Sequence, residues 1–590
     1  MKNNKIYRNA AVAMAFLATG AMTTACSDWD DHYDSNGISG SASETIWQNI
    51  QANANLSQFA ALMQKAGYGD VINTTQTYTV WAPLNGTFNY DSLSTLPQSS
   101  LQDYFAKNHV ARFNYPASGT IDEHVTMLNK KVMAFVGSGN YTFNGVEVVT
   151  PNVASSNGVL HVTNGMVNYS SNIFESLDST AYPIDSIARY FHSYDQKVLD
   201  ESSSVEGPVV DGRITYLDSV FTEYNTLVYL HRAFINAEDS NYTMIVPTNT
   251  AWQKAYETVS KCYNYKPFTF VKEVPATNLN KATEEDNYDT GSRSLDFDLL
   301  RDSIIHYTIA KDLFFNNNRY HNGVLETLQT GDVLSTDSLV STVGNVVYNE
   351  DAGSLFEGAT RIDKSNGNIW LTDSLRMRTW LSWNPIIKIQ GEYGVAASYN
   401  TSSTSVTSIT KAEQNPDIEG TVSNNNYLTV TPSSSVANPE AIFYLPGVRS
   451  TQYAVYICFV PANINTSSYV DYVRPNRVQV TMGYNDLNGK PKEDRMKAGS
   501  TNYFENDITK VDTVYVGDFT FPLCYYGTGT STVTQTSYAP YIRITSRVTG
   551  NEQTSKNDRN LRIDYIMLVP KDLDNYIKAH PDYKYQHDLD

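Results

Sequence analysis

Cysteine is scarce in this 590-residue chain: there are four, at 26, 262, 458 and 524. None stands in a paired metal-binding or redox spacing, and the last three cannot all pair with one another, so a disulfide scaffold is excluded. Long apolar runs are equally scarce. Apart from Ala10–Met22 near the start, no stretch approaches the roughly 20 residues that cross a bilayer as a helix. Positive charge is in deficit, with 43 Lys and Arg against 62 Asp and Glu and a net charge of -19. That balance argues against nucleic acid, whose phosphates require clustered cations, and against docking on anionic lipid by charge. No Gly-x-Ser-x-Gly elbow, His-Glu-x-x-His helix or phosphate loop occurs, and the ten histidines are scattered. Nothing in the pattern supplies a nucleophile with an orienting base, so no catalytic residue, no metal ligand and no cofactor is assigned. Tyrosine, by contrast, is abundant at 42 residues, and it offers apolar area with a hydrogen-bonding tip at low entropic cost.

The N-terminus carries Lys2, Lys5 and Arg8, then the uncharged run Ala10–Met22, then Thr23-Thr24-Ala25-Cys26. A basic segment, a short apolar segment and small residues form the layout of a secretory signal. Small residues before a cysteine resemble the lipobox of bacterial lipoproteins, with Thr23 where Leu is usual. The resemblance implies cleavage after residue 25 and lipid attachment at Cys26. The acidic Ser27-Asp28-Trp29-Asp30-Asp31 that follows resembles the surface-export signal of Bacteroidetes lipoproteins. It implies a chain displayed outside the outer membrane on a polar tether over residues 26–42.

Folding signals begin at Ser43. Ile46, Ile50, Leu56, Phe59, Leu62 and Met63 predict amphipathic helix. Tyr78 to Ala82 reads as a strand stopped by Pro83 and turned at Asn85-Gly86. Leu101–Val110 reads as helix, Val132–Val149 as two strands, and Asn157–Val167 as a turn entering a strand. The run Thr79 to Phe88, with its Ala-Pro-x-Asn-x-x-Phe turn, resembles the first signature of fasciclin-like domains. Gly158-Val159-Leu160-His161-Val162 resembles the second, with Asn108-His109 between them where a Tyr-His pair is usual.

The pattern returns about 165 residues later. Tyr242 to Trp252 repeats the strand, the Pro-x-Asn turn and the aromatic, His306-Tyr307 falls near the middle motif, and Gly367 to Asp373 closes the copy with Trp370 in the histidine's place. Helices are expected over Ile184–Leu199, Val220–Ile235 and Leu299–Phe315. Cys262–Thr290 reads as an exposed insertion. From residue 383 the character changes to eight short alternating strands between Asn, Gly, Ser and Pro turns, the mark of a sandwich. The last of them, Arg562–Pro570, resembles the final strand of galactose-binding-like jelly rolls.

The expected fold is therefore α+β fasciclin-like domains, a β-wedge with helices, two in tandem over residues 43–178 and 183–379. An all-β, jelly-roll-like sandwich follows over 383–570, with a charged peripheral tail over 571–590. His161, His109 and His306 are read as structural, because a histidine on a buried strand more often satisfies backbone groups than performs chemistry. Asn485 to Gly489 is read as a turn rather than a calcium loop, since the closing Glu is missing. Tyr484, Tyr525 and Tyr526, on loops rich in polar residues, are the candidates for stacking against a sugar.

These resemblances imply a non-catalytic binding or adhesion protein. Its partners would be the membrane through the lipid at Cys26, a glycan, and an outer-membrane TonB-dependent importer with its lid lipoprotein. A purely adhesive role is the alternative, and a glycan hydrolase using paired carboxylates ranks last.

Overall fold

The computed structural model describes residues 43–583 outside short stretches, the longest being 273–282, 288–296, 393–401, 466–472 and 528–539. Cys26 and the tether lie outside the described residues. The chain divides into two compact units. The first holds the described residues up to Asp178 together with Phe234–Tyr242 and Asp363–Asn368, and the second holds Ser179–Ala233, Thr243–Ile362 and the residues from Ile369 onward.

In the first unit, helix α1 (Ile46–Ala52) starts at a capping box, Thr45 and Gln48 each accepting the other's backbone N–H. It and α2 (Ser57–Lys65) turn Ile46, Ile50, Phe59, Leu62 and Met63 inward. They cover a seven-stranded sheet formed by β1 (Tyr78–Pro83), β2 (Val110–Arg112), β3 (Thr120–Thr126), β4 (Val132–Ser138), β5 (Asn140–Phe143), β6 (Val146–Ser155) and β7 (Gly158–Thr163), in the order β2-β1-β7-β6-β5-β4-β3. Strand β1 is buried along its whole length. Tyr78, Val80 and Ala82 meet the helices, while Trp81 points the other way, onto Phe135 and Phe143. The helical reading of Leu101–Val110 holds only to Ala106, beyond which the chain passes into β2.

One clasp fixes this sheet. β1 and β7 run parallel, Tyr78 opposite Gly158. Gly158 sits at φ +137°, and a Cβ there would come within 1.9 Å of the Tyr78 carbonyl oxygen, so only glycine fits. Just before it, the Asn157 side chain accepts the Ile46 N–H at 2.8 Å and donates to the carbonyls of Ile72 and Thr74 at 2.9 and 2.7 Å.

The same clasp occurs a second time. Strands β8 (Tyr242–Pro247), β9 (Phe314–Asn316), β10 (Thr360–Lys364) and β11 (Gly367–Thr372) form a sheet in the order β9-β8-β11-β10. Gly367, at φ +136°, leaves 1.9 Å between a Cβ and the Tyr242 carbonyl oxygen. Asn366 accepts the Ile173 N–H at 2.9 Å and donates to the carbonyls of Ile235 and Ala237 at 2.7 and 2.9 Å. The Pro-x-Asn turns agree as well: Asn85 accepts the Gln58 N–H at 2.9 Å and Asn249 accepts the Ser186 N–H at 2.8 Å.

In the second unit, helices α3 (Asp185–His192), α4 (Asn249–Val259) and α5 (Phe297–Ala310) pack side by side. All three expected helices end or start short of their expected bounds: the one expected over Leu299–Phe315 stops at Ala310, and Phe314 already belongs to β9. After α3 the chain becomes the strand Asp195–Leu199, paired antiparallel with Phe221–Asn225, and only Thr226–Leu230 of the later stretch is helical. Between those two strands, Val205–Val210 pairs antiparallel with Arg213–Asp218.

All eight expected sandwich strands are present: β12 (Ile387–Gln390), β14 (Asn426–Pro432), β15 (Glu440–Tyr444), β16 (Gln452–Phe459), β17 (Arg477–Asn485), β20 (Asp512–Thr520), β21 (Tyr541–Ser546) and β22 (Leu561–Pro570). Three more join them: β13 (Ser402–Ser408), β18 (Pro491–Arg495) and β19 (Phe504–Glu505). They form one sheet in the order β13-β14-β22-β16-β20, with β12 also on β22, and a second in the order β15-β21-β17-β18, with β19 on β17. Val455, Ile457, Val480, Ile544 and Ile566 fill the core between them.

Of the tail read as peripheral, the described part packs on the sandwich. Helix α6 (Lys571–Ala579) buries Leu573 completely against Tyr565, Met567 and Val569 of β22. Its charges are used up locally, Asp574 accepting from Lys571, Lys578 and the Tyr456 hydroxyl at 2.8, 2.8 and 2.6 Å. This explains the near-continuous apolar run of β22, which is covered on both faces.

Candidate functional site

Helices α3, α4 and α5 of the second unit each have a face the core does not use. Thr248 caps α4, which turns Ala251, Trp252, Ala255 and Val259 inward and leaves Gln253 and Tyr256 outside. α3 buries Ile187, Tyr190 and Phe191 and sets Ser186 and Arg189 on its rim. α5 buries Ile305, Thr308 and Ile309, while Leu299, Asp302, Ser303 and His306 line the open side at helical spacing. These faces enclose a cleft of about 620 Å³. Its floor is aromatic: His306 stacks on Trp252 at 5.7 Å and 28°, and touches Tyr190 and Tyr256 at 5.7 and 5.5 Å. The Tyr256 hydroxyl donates to Asp302 at 2.5 Å. Burial lowers the His306 pKa, which keeps the ring neutral, and burial followed by Asp302 raises that of Tyr256.

Tyr190, Tyr194 and Ser303 also border a second hollow of about 630 Å³. Its remaining wall comes partly from Leu300, Ile304 and Tyr307, the neighbouring stripe of α5, and partly from the sandwich loops at Gly447 and Tyr525 to Gly527. The segment Tyr263-Asn264-Tyr265 fixes this seam. The Asn264 N–H donates to Ser450 Oγ at 2.8 Å, and its side chain donates to the Pro522 carbonyl at 2.9 Å. The Tyr265 hydroxyl donates to the Tyr526 carbonyl at 2.6 Å, and Arg449 donates from Nε to the Tyr263 hydroxyl at 3.0 Å. Tyr263 and Tyr265 are buried. The insertion read as an exposed loop therefore begins as an anchor, because its tyrosines find both apolar contact and polar partners; its later part falls largely outside the described residues.

The three tyrosines singled out from the sequence have separate places. Tyr525 is 1% exposed, its hydroxyl donating to the Asn485 side chain at 3.0 Å and accepting the Asn485 N–H at 2.7 Å, so its ring serves the sandwich core. Tyr484 donates to Asp494 at 2.7 Å and packs its edge on Phe519; burial and then Asp494 push its pKa up to about 12. Tyr526 lines the second hollow beneath the Arg449 guanidinium, 4.5 Å from the ring. The structure brings Tyr525 and Tyr526 to one hollow but leaves Tyr484 outside it. The other lining residues were missed, although the polar and aromatic stripe Asp302, Ser303, His306, Tyr307 was legible as a helix face that does not read as core.

The remaining residues raised by the sequence have structural settings. His161 is fully buried, with Nε2 at 2.9 Å from the Tyr115 carbonyl oxygen and Nδ1 accepting the Asn152 N–H at 3.3 Å. His109 places Nδ1 at 2.8 Å from the Phe105 carbonyl oxygen. Burial lowers both to about 4. Asp486 accepts the N–H groups of Asn488 and Lys490, closing the turn at Gly489. Cys262, Cys458 and Cys524 are unpaired thiols. Among the described residues no cluster of three or more His, Cys, Asp or Glu could hold a metal ion, and no helix is long and apolar enough to cross a membrane.

Comparison with curated proteins finds no match. Among solved structures, a FAS1 domain pair from the insect cell adhesion molecule Fasciclin I is similar at 13% identity and a TM-score of 0.20, covering 56% of this chain and 98% of that one. The Podospora anserina GH26-CBM35 β-(1,4)-mannanase is similar at 15% identity and a TM-score of 0.16, over 31% of this chain. This chain spans only 27% of that mannanase. The CBM22-1 xylan-binding domain from Paenibacillus barcinonensis Xyn10C is similar at 12% identity and a TM-score of 0.19, over 31% of this chain and 95% of that one. The family comparison matches residues 54–167 to the Fasciclin domain, and the chain therefore carries a fasciclin domain there.

Proposed function

We propose that this chain is a surface-displayed, non-catalytic binding protein, held at the outer membrane by a lipid on Cys26 and acting beside a TonB-dependent importer and its lid lipoprotein. The fasciclin domain over residues 54–167 supports an adhesion or binding role. The repeated clasp at Asn366 and Gly367 supports a second domain of the same fold over residues 183–379, and the two sheets beyond residue 383 support a jelly-roll-like module; the ligand the chain takes is a glycan.

The observation that carries the reading is the state of His161. In the family signature it is the residue most suited to proton transfer, yet both ring nitrogens meet backbone groups and the ring lies flat on Trp81 at 5.6 Å. Such a ring orients structure and has no contact to offer a substrate. The full-length protein on a glycan array, and its co-purification from solubilised outer membranes, test this function. Retention of a glycan together with an importer is the expected result. Release of product from a surface polysaccharide would replace it with the hydrolase reading, and an unchanged membrane fraction for Cys26→Ser would remove the lipid anchor.

A further inference from the structure

We infer that the glycan site lies not on the free loops of the sandwich but in the aromatic cleft of the second unit, where it takes a neutral oligosaccharide; this rests on the carbohydrate reading proposed above. Three observations lead there. First, the two hollows of about 620 and 630 Å³ share Tyr190, Tyr194 and Ser303, so they adjoin along that wall, each within the ~300–1,000 Å³ usual for small-molecule sites. A cleft of that extent suits a short chain of rings better than a single one.

Second, the lining pairs flat rings with hydrogen-bonding groups of both kinds. Tyr194, Tyr256 and His306 are only partly buried, so their rings are open to the apolar face of a sugar ring. Arg189 and Gln253 donate, Asp302 accepts, and Ser186, Ser193 and Ser303 can do either. This is the equipment for a dense array of hydroxyls.

Third, the charge is balanced. One cation, Arg189, and one carboxylate, Asp302, line the first hollow, beside a histidine that burial keeps neutral. Anionic groups such as phosphate call for clustered or bidentate cations. An aromatic cage for a quaternary ammonium group would gain from the rings and from Asp302 but would be opposed by Arg189. A neutral polyhydroxylated ligand can bond to both charged groups and brings no charge of its own.

The test uses the full chain, arrayed neutral oligosaccharides of glucose, mannose, galactose and xylose, and titration of the retained species. Arg189→Gln and Asp302→Ala lie on exposed positions of helices whose cores they do not enter. Each is expected to weaken binding at least about tenfold, the scale of one charge-assisted hydrogen bond, with an unchanged melting temperature. Tyr515→Ser, on an exposed tyrosine of the sandwich bonded to Asp518, is expected to bind as the parent does. Sugar binding that survives both cleft variants but falls in Tyr484→Ala overturns the location and leaves the carbohydrate reading intact. A parent that retains none of these sugars overturns both. Binding of tetramethylammonium in place of sugar, lost in Asp302→Ala and gained in Arg189→Gln, overturns the ligand class.

Discussion

The fasciclin domain and the region from Ile184 to Thr372 are built on one clasp yet filled with opposite chemistry. In the first, His161 bonds to backbone on both sides and stacks on Trp81. In the second, Trp370 occupies the corresponding strand position, three residues after the glycine, and packs on Phe356 at 4.9 Å. The asparagine-glycine pair is retained in both, with nearly the same bonds. A buried backbone group left without a partner is costly wherever it sits, whereas the centre of a wedge tolerates either a satisfied polar ring or an apolar one. The clasp is thus the invariant, and the filling is free to diverge.

The sharpest way to break this equivalence is at the glycines. Gly158→Ala and Gly367→Ala each force a Cβ to 1.9 Å from a carbonyl oxygen at positive φ. Each is expected to cost more than about 4 kcal/mol or to prevent folding of its region, read by hydrogen exchange region by region. If Gly367→Ala were harmless while Gly158→Ala was not, the two copies would not share a frame. Next come Asn157→Ala and Asn366→Ala. Each removes three hydrogen bonds from buried backbone groups, with an expected loss of about 2–4 kcal/mol in denaturant unfolding.

Acid sharpens the contrast in filling. His109 and His161 have folded pKa values lowered to about 4 by burial, below the ordinary value of 6.5, so they take up protons only on unfolding. The stability they lend is complete above pH 6.5 and is lost progressively as the pH falls towards 4. The second region has His231 in the same condition, with a pKa of about 4, and His306 lowered by burial as well, while Trp370 stands where the strand histidine would be. Acid unfolding followed by hydrogen exchange should therefore loosen both regions as the pH falls below 6.5, and in the fasciclin domain alone the loss should trace to the ring of the strand histidine, His161. The smallest effect is expected from Thr163→Val and Thr372→Val. Each deletes a hydroxyl bond of 2.8 Å, to the carbonyls of Gly165 and Ser374, at about 1 kcal/mol in thermal unfolding, and Thr372→Val should cost more because its hydroxyl also accepts the Ser374 N–H at 3.1 Å.

The sequence displayed what is local and repeated. Strand, Pro-x-Asn turn and Gly-x-x-His marked β1 and β7 because the chemistry of each lies within a few residues. The eight sandwich strands were legible from alternation alone. Contacts between distant segments were not. Tyr263 and Tyr265 read as loop residues because the groups that bury them, near Arg449 and Tyr526, lie more than 180 residues away. Lys571–Ala579 read as a charged tail because its four-residue charge spacing hid a single inward stripe at Leu573. The cleft was out of reach for the same reason: α3 and α4 offer three residues each and α5 seven, and only packing brings them together.

The Tyr263-Asn264-Tyr265 anchor has a calorimetric consequence. The sandwich loops at Ser450, Pro522 and Tyr526 take hydrogen bonds from a segment of the preceding α+β region. Neither side can melt without exposing polar groups and buried rings of the other. Heating should thus produce one shared heat-absorption peak for both, and a chain cut between Ser382 and Ile387 would release a sandwich with an unhealed edge.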